Sequence, residues 1–330
     1  MPTWGQILLE LQATTKEGTR PPDFDAVRRR YLAELHRHTG RNLIVYASKW
    51  TQPSDASLNP ELISVSDEDM EGLMETVYGL PNDRLDLMVH SPGGSAEAAE
   101  ALVTYLRQQF RDIRAIVPHA AMSAATMICC GCDRILMGKH SFLGPIDPQF
   151  FLNTPLGLQS VPAQAILDQF AQAKEECKDS ANLAAWLPML GQFGPGLLVQ
   201  CKNALDLSKG VVERWLEQYM FSGDGDASQK AAEIANWLSD HGEFKSHGRH
   251  LSRESLEIKG LKIDRLEVDQ TLQDLTLSVF HALMHTFSAT AAAKIIENHN
   301  GKAWVKMAIT QQVTFPIPAQ IAPPPLKQKN

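Results

Sequence analysis

Two strand-to-helix junctions lying close together constrain this chain more than any other feature. At the first, the apolar run Leu85-Asp86-Leu87-Met88-Val89 enters Ser91-Pro92-Gly93-Gly94, and a helical pattern follows over 96–110. At the second, an apolar strand at 113–117 meets Pro118, a small-residue turn over 120–125 and another apolar helix, before a fourth strand at Arg134–Met137. Upstream, Leu43-Ile44-Val45-Tyr46-Ala47 has strand length and 67–78 reads as a helix. Strands that alternate with helices of this length need crossover connections and therefore pair in parallel, so the centre of the chain is α/β.

The chain can support such a sheet. Of its 330 residues 44% are hydrophobic and 21% charged, an ordinary globular composition, and the length allows one large domain with appendages or two domains. With 31 Lys and Arg against 38 Asp and Glu the formal charge is −7, which argues against a general nucleic-acid binder. Five cysteines cannot all pair, and three of them crowd into Cys129, Cys130 and Cys132; this reads as reduced thiols in a cytoplasmic setting. The first residues carry no basic leader with an apolar stretch, and no window reaches the roughly 18 consecutive apolar residues of a spanning helix, so neither export nor a membrane span is expected.

Around the centre, residues 1–40 form a predicted helical arm in which Arg28-Arg29-Arg30 is read as a solvated helix face. After Asp147-Pro148 the pattern turns helical at 163–178, 183–190, 197–207 and 211–219. The implied division is a core over 41–205, a helical subdomain over 206–262, a C-terminal helical assembly element over 263–314 and a Pro-rich, extended or disordered tail over 315–330. Within the assembly element, 266–298 reads as one or two long helices. Short helices at 233–238 and 253–258 bracket a loop with His247 and His250; a helix-turn-helix is conceivable there, but the mixed local charge favours a packing subdomain.

The chemistry concentrates at the two junctions. Two glycines between a strand and a helix free the backbone to turn amides outward, which makes either an anion or oxyanion site or a simple turn. Ser123, in Met122-Ser123-Ala124-Ala125-Thr126, is either the N-cap of the next helix or a nucleophile whose neighbouring amide, on Ala124, completes an oxyanion hole. Spacing alone favours the cap.

These motifs, with Ser123 lying 32 residues after Ser91 and followed by DRILMGKHSFLGPIDPQ over 133–149, together resemble the Clp protease and crotonase superfamily. Within it, the similarity is greatest to the serine dehydrogenase proteinase family, relatives of signal peptide peptidase A, and it covers roughly residues 43–150. The resemblance implies a Clp/crotonase-type spiral of βαβ units, with Ser123 as nucleophile and Gly93 or Gly94 with Ala124 as oxyanion donors. It also implies a homo-oligomer acting on peptides or unfolded protein segments.

The general base is left open. Where the Clp subunit carries its histidine, this chain has Ile146-Asp147-Pro148. The peptidase lysine is matched in spacing by Lys174, 51 positions after Ser123, or Lys178, 55 after it, although the flanking residues differ; such a base needs burial to lower its pKa. Asp147 is the other candidate, orienting a base or acting directly, and His119 and His140 bracket the site in sequence. Cys129 and Cys132 have C-x-x-C spacing without a second pair, and no phosphate or dinucleotide loop is present, so neither metal nor cofactor is expected. The expected activity is a serine endopeptidase. The alternatives are a catalytically silent scaffold of the same fold and, disfavoured by the Met-Ser-Ala-Ala-Thr turn, a crotonase-type acyl-CoA enzyme.

Overall fold

A computed structural model describes residues 3–15, 21–52, 58–81, 83–154 and 157–308. In chain order, helices α1 (Trp4–Ala13) and α2 (Phe24–Thr39) precede β1 (Asn42–Ser48). Helix α3 (Asp69–Val77) leads to β2 (Arg84–His90), α4 (Ala96–Gln109) to β3 (Asp112–Val117), and the short β4 (Ala120–Ala121) to α5 (Ala124–Cys130) and β5 (Arg134–Met137). Next come β6 (Phe142–Leu143), a hairpin of β7 (Gln149–Thr154) and β8 (Gly157–Pro162), and helices α6 (Ala163–Glu176), α7 (Leu183–Leu190), α8 (Leu197–Trp215), α9 (Ala227–Ser239) and α10 (His241–Phe244). The remainder is β9 (Leu251–Ser252), α11 (Arg253–Lys259), β10 (Ile263–Arg265), α12 (Gln270–Ala289), β11 (Ala292–Asn298) and β12 (Ala303–Met307).

One sheet of seven strands organises the molecule, in the order β10-β5-β3-β2-β1-β11-β12, with β11 and β12 antiparallel and the rest parallel. Side chains alternate across a strand, so β1 sends Ile44 and Tyr46 to one core and Leu43, Val45 and Ala47 to the other. Helices α3, α4, α5, α8 and α9 cover the first face; α1, α2 and α12 cover the second. Burial on both faces explains why the central strands read as continuous apolar runs. The expected strands and crossovers of the centre are all present, in a mixed α/β fold.

Three expectations are corrected. The region 263–314 is not helical throughout: among its described residues α12 is the one α-helix, and 263–265, 292–298 and 303–307 are strands of the main sheet. The polar Lys294 and Glu297 inside β11 hid a fully buried strand, because each finds an ionic partner there. The N-terminal region holds two helices, and α2 packs along α12 and buries Val27, Leu32 and Leu35. Arg28 does not lie on a solvated face; it is 2% exposed and bonds Glu297 and Asp25. After Asp147-Pro148, where the sequence pattern predicts a turn to helices, residues 149–154 and 157–162 first pair as antiparallel strands. Helix α9 packs on α8 while α11 lies beside β9 and β10, and the predicted tail 315–330 falls outside the described residues. No helix among the described residues is long and apolar enough to cross a membrane.

Candidate active site

The end of β2 carries the first junction to the second. Ser91 bridges to Ala121, with the Ser91 amide donating to the Ala120 carbonyl at 3.3 Å and the Met122 amide to the Ser91 carbonyl at 3.0 Å. Gly93 (φ +97°) comes so close to the serine turn that a Cβ there would meet the Met122 carbonyl and the Ser123 Cβ at 2.6 Å and the Ala124 nitrogen at 2.9 Å. Only glycine permits that approach. The turn is also fixed from outside: the Val65 amide donates to the Gly93 carbonyl at 2.8 Å and the Ser95 amide to the Val65 carbonyl at 3.0 Å. The Gly93 amide itself rests on the Ser91 hydroxyl at 3.2 Å.

Ser123 has φ +53° and ψ −121° and makes no capping hydrogen bond. A hydroxyl that caps leaves a recognisable contact, as at the start of α4, where Ser95 accepts from the Ala98 amide at 3.0 Å. The cap reading of Ser123 is therefore corrected. A non-glycine residue in this backbone region is strained, and such strain is held in place where a side chain has to be presented in one direction. The hydroxyl borders a cavity of about 410 Å³ whose walls include Gly93, Gly94, Ala124, Met127, Phe150 and His247.

Asp147, 1% exposed, lies in the loop after β6. That loop is held at both ends, by the Ile146 amide on the Leu238 carbonyl at 2.9 Å and the Ala163 amide on the Pro148 carbonyl at 2.9 Å. Its carboxylate takes Nδ1 of His247 at 2.7 Å, Nδ1 of His241 at 2.9 Å and the Gln149 amide at 3.1 Å. A carboxylate only accepts, so Nδ1 of His247 carries the hydrogen, and in the neutral ring the free lone pair is then on Nε2. The loop bearing His247 follows α10 and includes Lys245 at φ +61°.

Ser123, Gly93, Gly94, Ala124 and the Asp147 partner His247 thus come together around one cavity. Lys174 does not join them: it is exposed on α6 and absent from the cavity wall. Lys178 is exposed and paired with Glu175. His119 stacks against His90 at 5.6 Å between ring centroids, where burial lowers its pKa, and neither His119 nor His140 lines the cavity. Cys129, Cys130 and Cys132 are buried and free, and burial pushes their thiols upward, Cys132 to about 12. Sequence reasoning missed His247. Its one signal was a histidine-rich loop, His241 to His250, in a chain that lacked a base.

The fold and this serine turn place the molecule in the ClpP-like class. Residues 25–186 match the family described as ClpP-like SDH-type serine proteinase. Two curated relatives are uncharacterized proteins of Methanocaldococcus jannaschii. One is 26% identical over 215 residues, 64% of this chain and 63% of the relative; the other is 33% identical over 168 residues, 46% of this chain and 54% of the relative. The match thus spans less than two thirds of either relative. Two solved structures of the 1510-N membrane-bound stomatin-specific protease also align. One is a serine-to-alanine mutant (12% identity, TM-score 0.33, 61% of this chain and 74% of that one). The other is a lysine-to-alanine mutant in complex with a substrate peptide (14% identity, TM-score 0.30, 54% and 59%).

Proposed function

We propose that the chain is a serine endopeptidase in which Ser123 is the nucleophile, His247 the general base and Asp147 the residue that orients it. The observation that carries this reading is that Ser123, uncapped and at positive φ, shares a cavity with a histidine whose other nitrogen is bonded to a buried carboxylate. In the first step Ser123 Oγ bonds the scissile carbonyl carbon while its proton passes to His247 Nε2, and the oxyanion is met by the amides of Ala124 and of Gly93 or Gly94. Collapse breaks the C–N bond, His247 returns the proton to the leaving amine, and water repeats the sequence on the acyl-enzyme. The Gly93 amide would exchange its 3.2 Å bond to Ser91 for the stronger one to a charged oxygen.

The substrate is an extended peptide or unfolded segment, consistent with the apolar Met127, Ile146, Phe150 and Leu207 in the cavity wall. A cytoplasmic homo-oligomer is part of the same reading, supported by the exposure of Phe151, Leu158 and Leu187. The test is intact-mass analysis after a fluorophosphonate probe, on the wild type and Ser123→Ala. An adduct that vanishes in the variant is expected; a wild type that never labels would favour the silent-scaffold alternative.

A further inference from the structure

A second buried charge stands next to the glycine turn. Asp69, the first residue of α3, and Lys294, in β11, are both fully buried, and the Lys294 ammonium bonds both carboxylate oxygens at 2.7 Å. Two of their remaining bonds go to one short backbone segment. Lys294 also donates to the Ser64 carbonyl at 2.6 Å, and Asp69 accepts from the Ser66 amide at 3.0 Å and the Tyr46 hydroxyl at 2.5 Å. The residue between, Val65, uses its amide and its carbonyl on Gly93 and Ser95. A Cβ on Gly94 would lie 2.4 Å from both the nitrogen and the oxygen of Val65, so the turn and the segment have no slack between them.

Resting on the serine-peptidase reading, we propose that the Lys294–Asp69 pair is a positioning element of the active site: it fixes residues 64–66, and through Val65 it sets the glycine turn against Ser123. A buried ion pair has a large desolvation cost and contributes little net stability over an apolar pair of the same volume, so its retention calls for another role. Here the role is directional. The pair holds the backbone on both sides of Val65, and the donors of an oxyanion hole lose most of their effect when displaced by a fraction of an ångström.

The pair also titrates within reach of experiment. Burial lowers Lys294 to about 8, against the opposing pull of Asp69 and Glu68, while Lys306 adds to the lowering. The groups facing it are Tyr46 from β1, Glu68 and Asp69 at the start of α3, and Lys306 from β12, which bonds Glu68 at 2.6 Å and lies 4.0 Å from Asp69. Tyr46 is pushed well above the usual phenol range by burial beside Asp69, so Lys294 gives up its proton first. Turnover should then fall as pH rises through about 8, when Asp69 loses its counter-charge. Because the folded pKa lies below the unfolded value of 10.5, this group's contribution to stability grows with pH between the two, so the loss of turnover is not unfolding.

The experiment uses the full chain, Lys294→Met, and the neutral double variant Lys294→Met with Asp69→Asn, which leaves no buried charge unpaired if the single variant fails to fold. Two readouts are taken: hydrogen exchange at 64–66 and 93–95 against 113–117 in β3, three strands across the sheet from Lys294, and saturable fluorophosphonate labelling from about pH 6 to 10. The folded double variant should exchange roughly tenfold faster or more at 93–95 with 113–117 unchanged. Its maximal labelling rate should drop roughly 10- to 100-fold with little change in probe affinity, and the alkaline fall should disappear. A folded double variant with wild-type exchange at 93–95, or with wild-type labelling and pH profile, overturns the proposal. A wild type that never labels overturns the peptidase reading, while the exchange measurement still decides whether the pair holds the turn.

Discussion

Asp69 and Asp147 are both withdrawn from water, and each collects donors from distant parts of the chain, yet their partners differ in kind. Asp69 faces a lysine with no exposed surface, a phenol and a backbone amide. Asp147 faces two histidines that keep 19% and 26% of their side-chain surface. One carboxylate sits inside a closed lattice and can only hold its surroundings still. The other touches rings that reach solvent, one of which lines the cavity beside Ser123. A single cavity draws on both, through the glycine turn for the first and His247 for the second. The difference teaches that burial of a carboxylate does not define its role; what it is bonded to does.

The sharpest way to break this contrast is to remove the proton path. His247→Ala and Asp147→Asn should each lower turnover by about 10³- to 10⁴-fold, the latter because an amide can stabilise the wrong imidazole tautomer. Steady-state kinetics on a fluorogenic peptide, with thermal midpoints measured alongside, checks this; a variant within tenfold of wild type would remove His247 from the mechanism. Next comes Gly93→Ala, whose Cβ has no space beside Ser123, with an expected loss of about 10²- to 10³-fold in the fluorophosphonate labelling rate. His241 bonds the same carboxylate without lining the cavity, so His241→Ala should cost no more than about tenfold, read as a change in turnover with KM preserved. The smallest effect belongs to Lys174→Ala, expected within about twofold of wild type in the same assay, since an exposed surface change moves little. A large loss there would restore the lysine base.

These rankings depart in part from what could be read before any coordinates. Ser91-Pro92-Gly93-Gly94 and Met122-Ser123-Ala124 announce themselves because a strand, a tight turn and a helix start are consecutive in the chain, and their chemistry is local. His247 is 124 positions from Ser123, and no periodicity links it to Asp147; a tertiary approach between the loop after α10 and the loop after β6 makes the pair. Strand β11 escaped for a related reason. Hydrophobic patterning assumes that charged residues face water, and Lys294 and Glu297 violate it by pairing with residues more than 200 positions away.

On the serine-peptidase reading, the position of β11 between β1 and β12 also bears on when the site is assembled during synthesis. Synthesis delivers Ser123 and the glycines long before His247, and Lys294 later still. On that reading, a nascent chain that has folded its central crossovers exposes Ser123 before its base is made, beside a turn that Val65 already bonds but that the Lys294–Asp69 pair does not yet fix. Lys294 is the last of these groups to be synthesised, so the site is complete only once β11 has entered between β1 and β12.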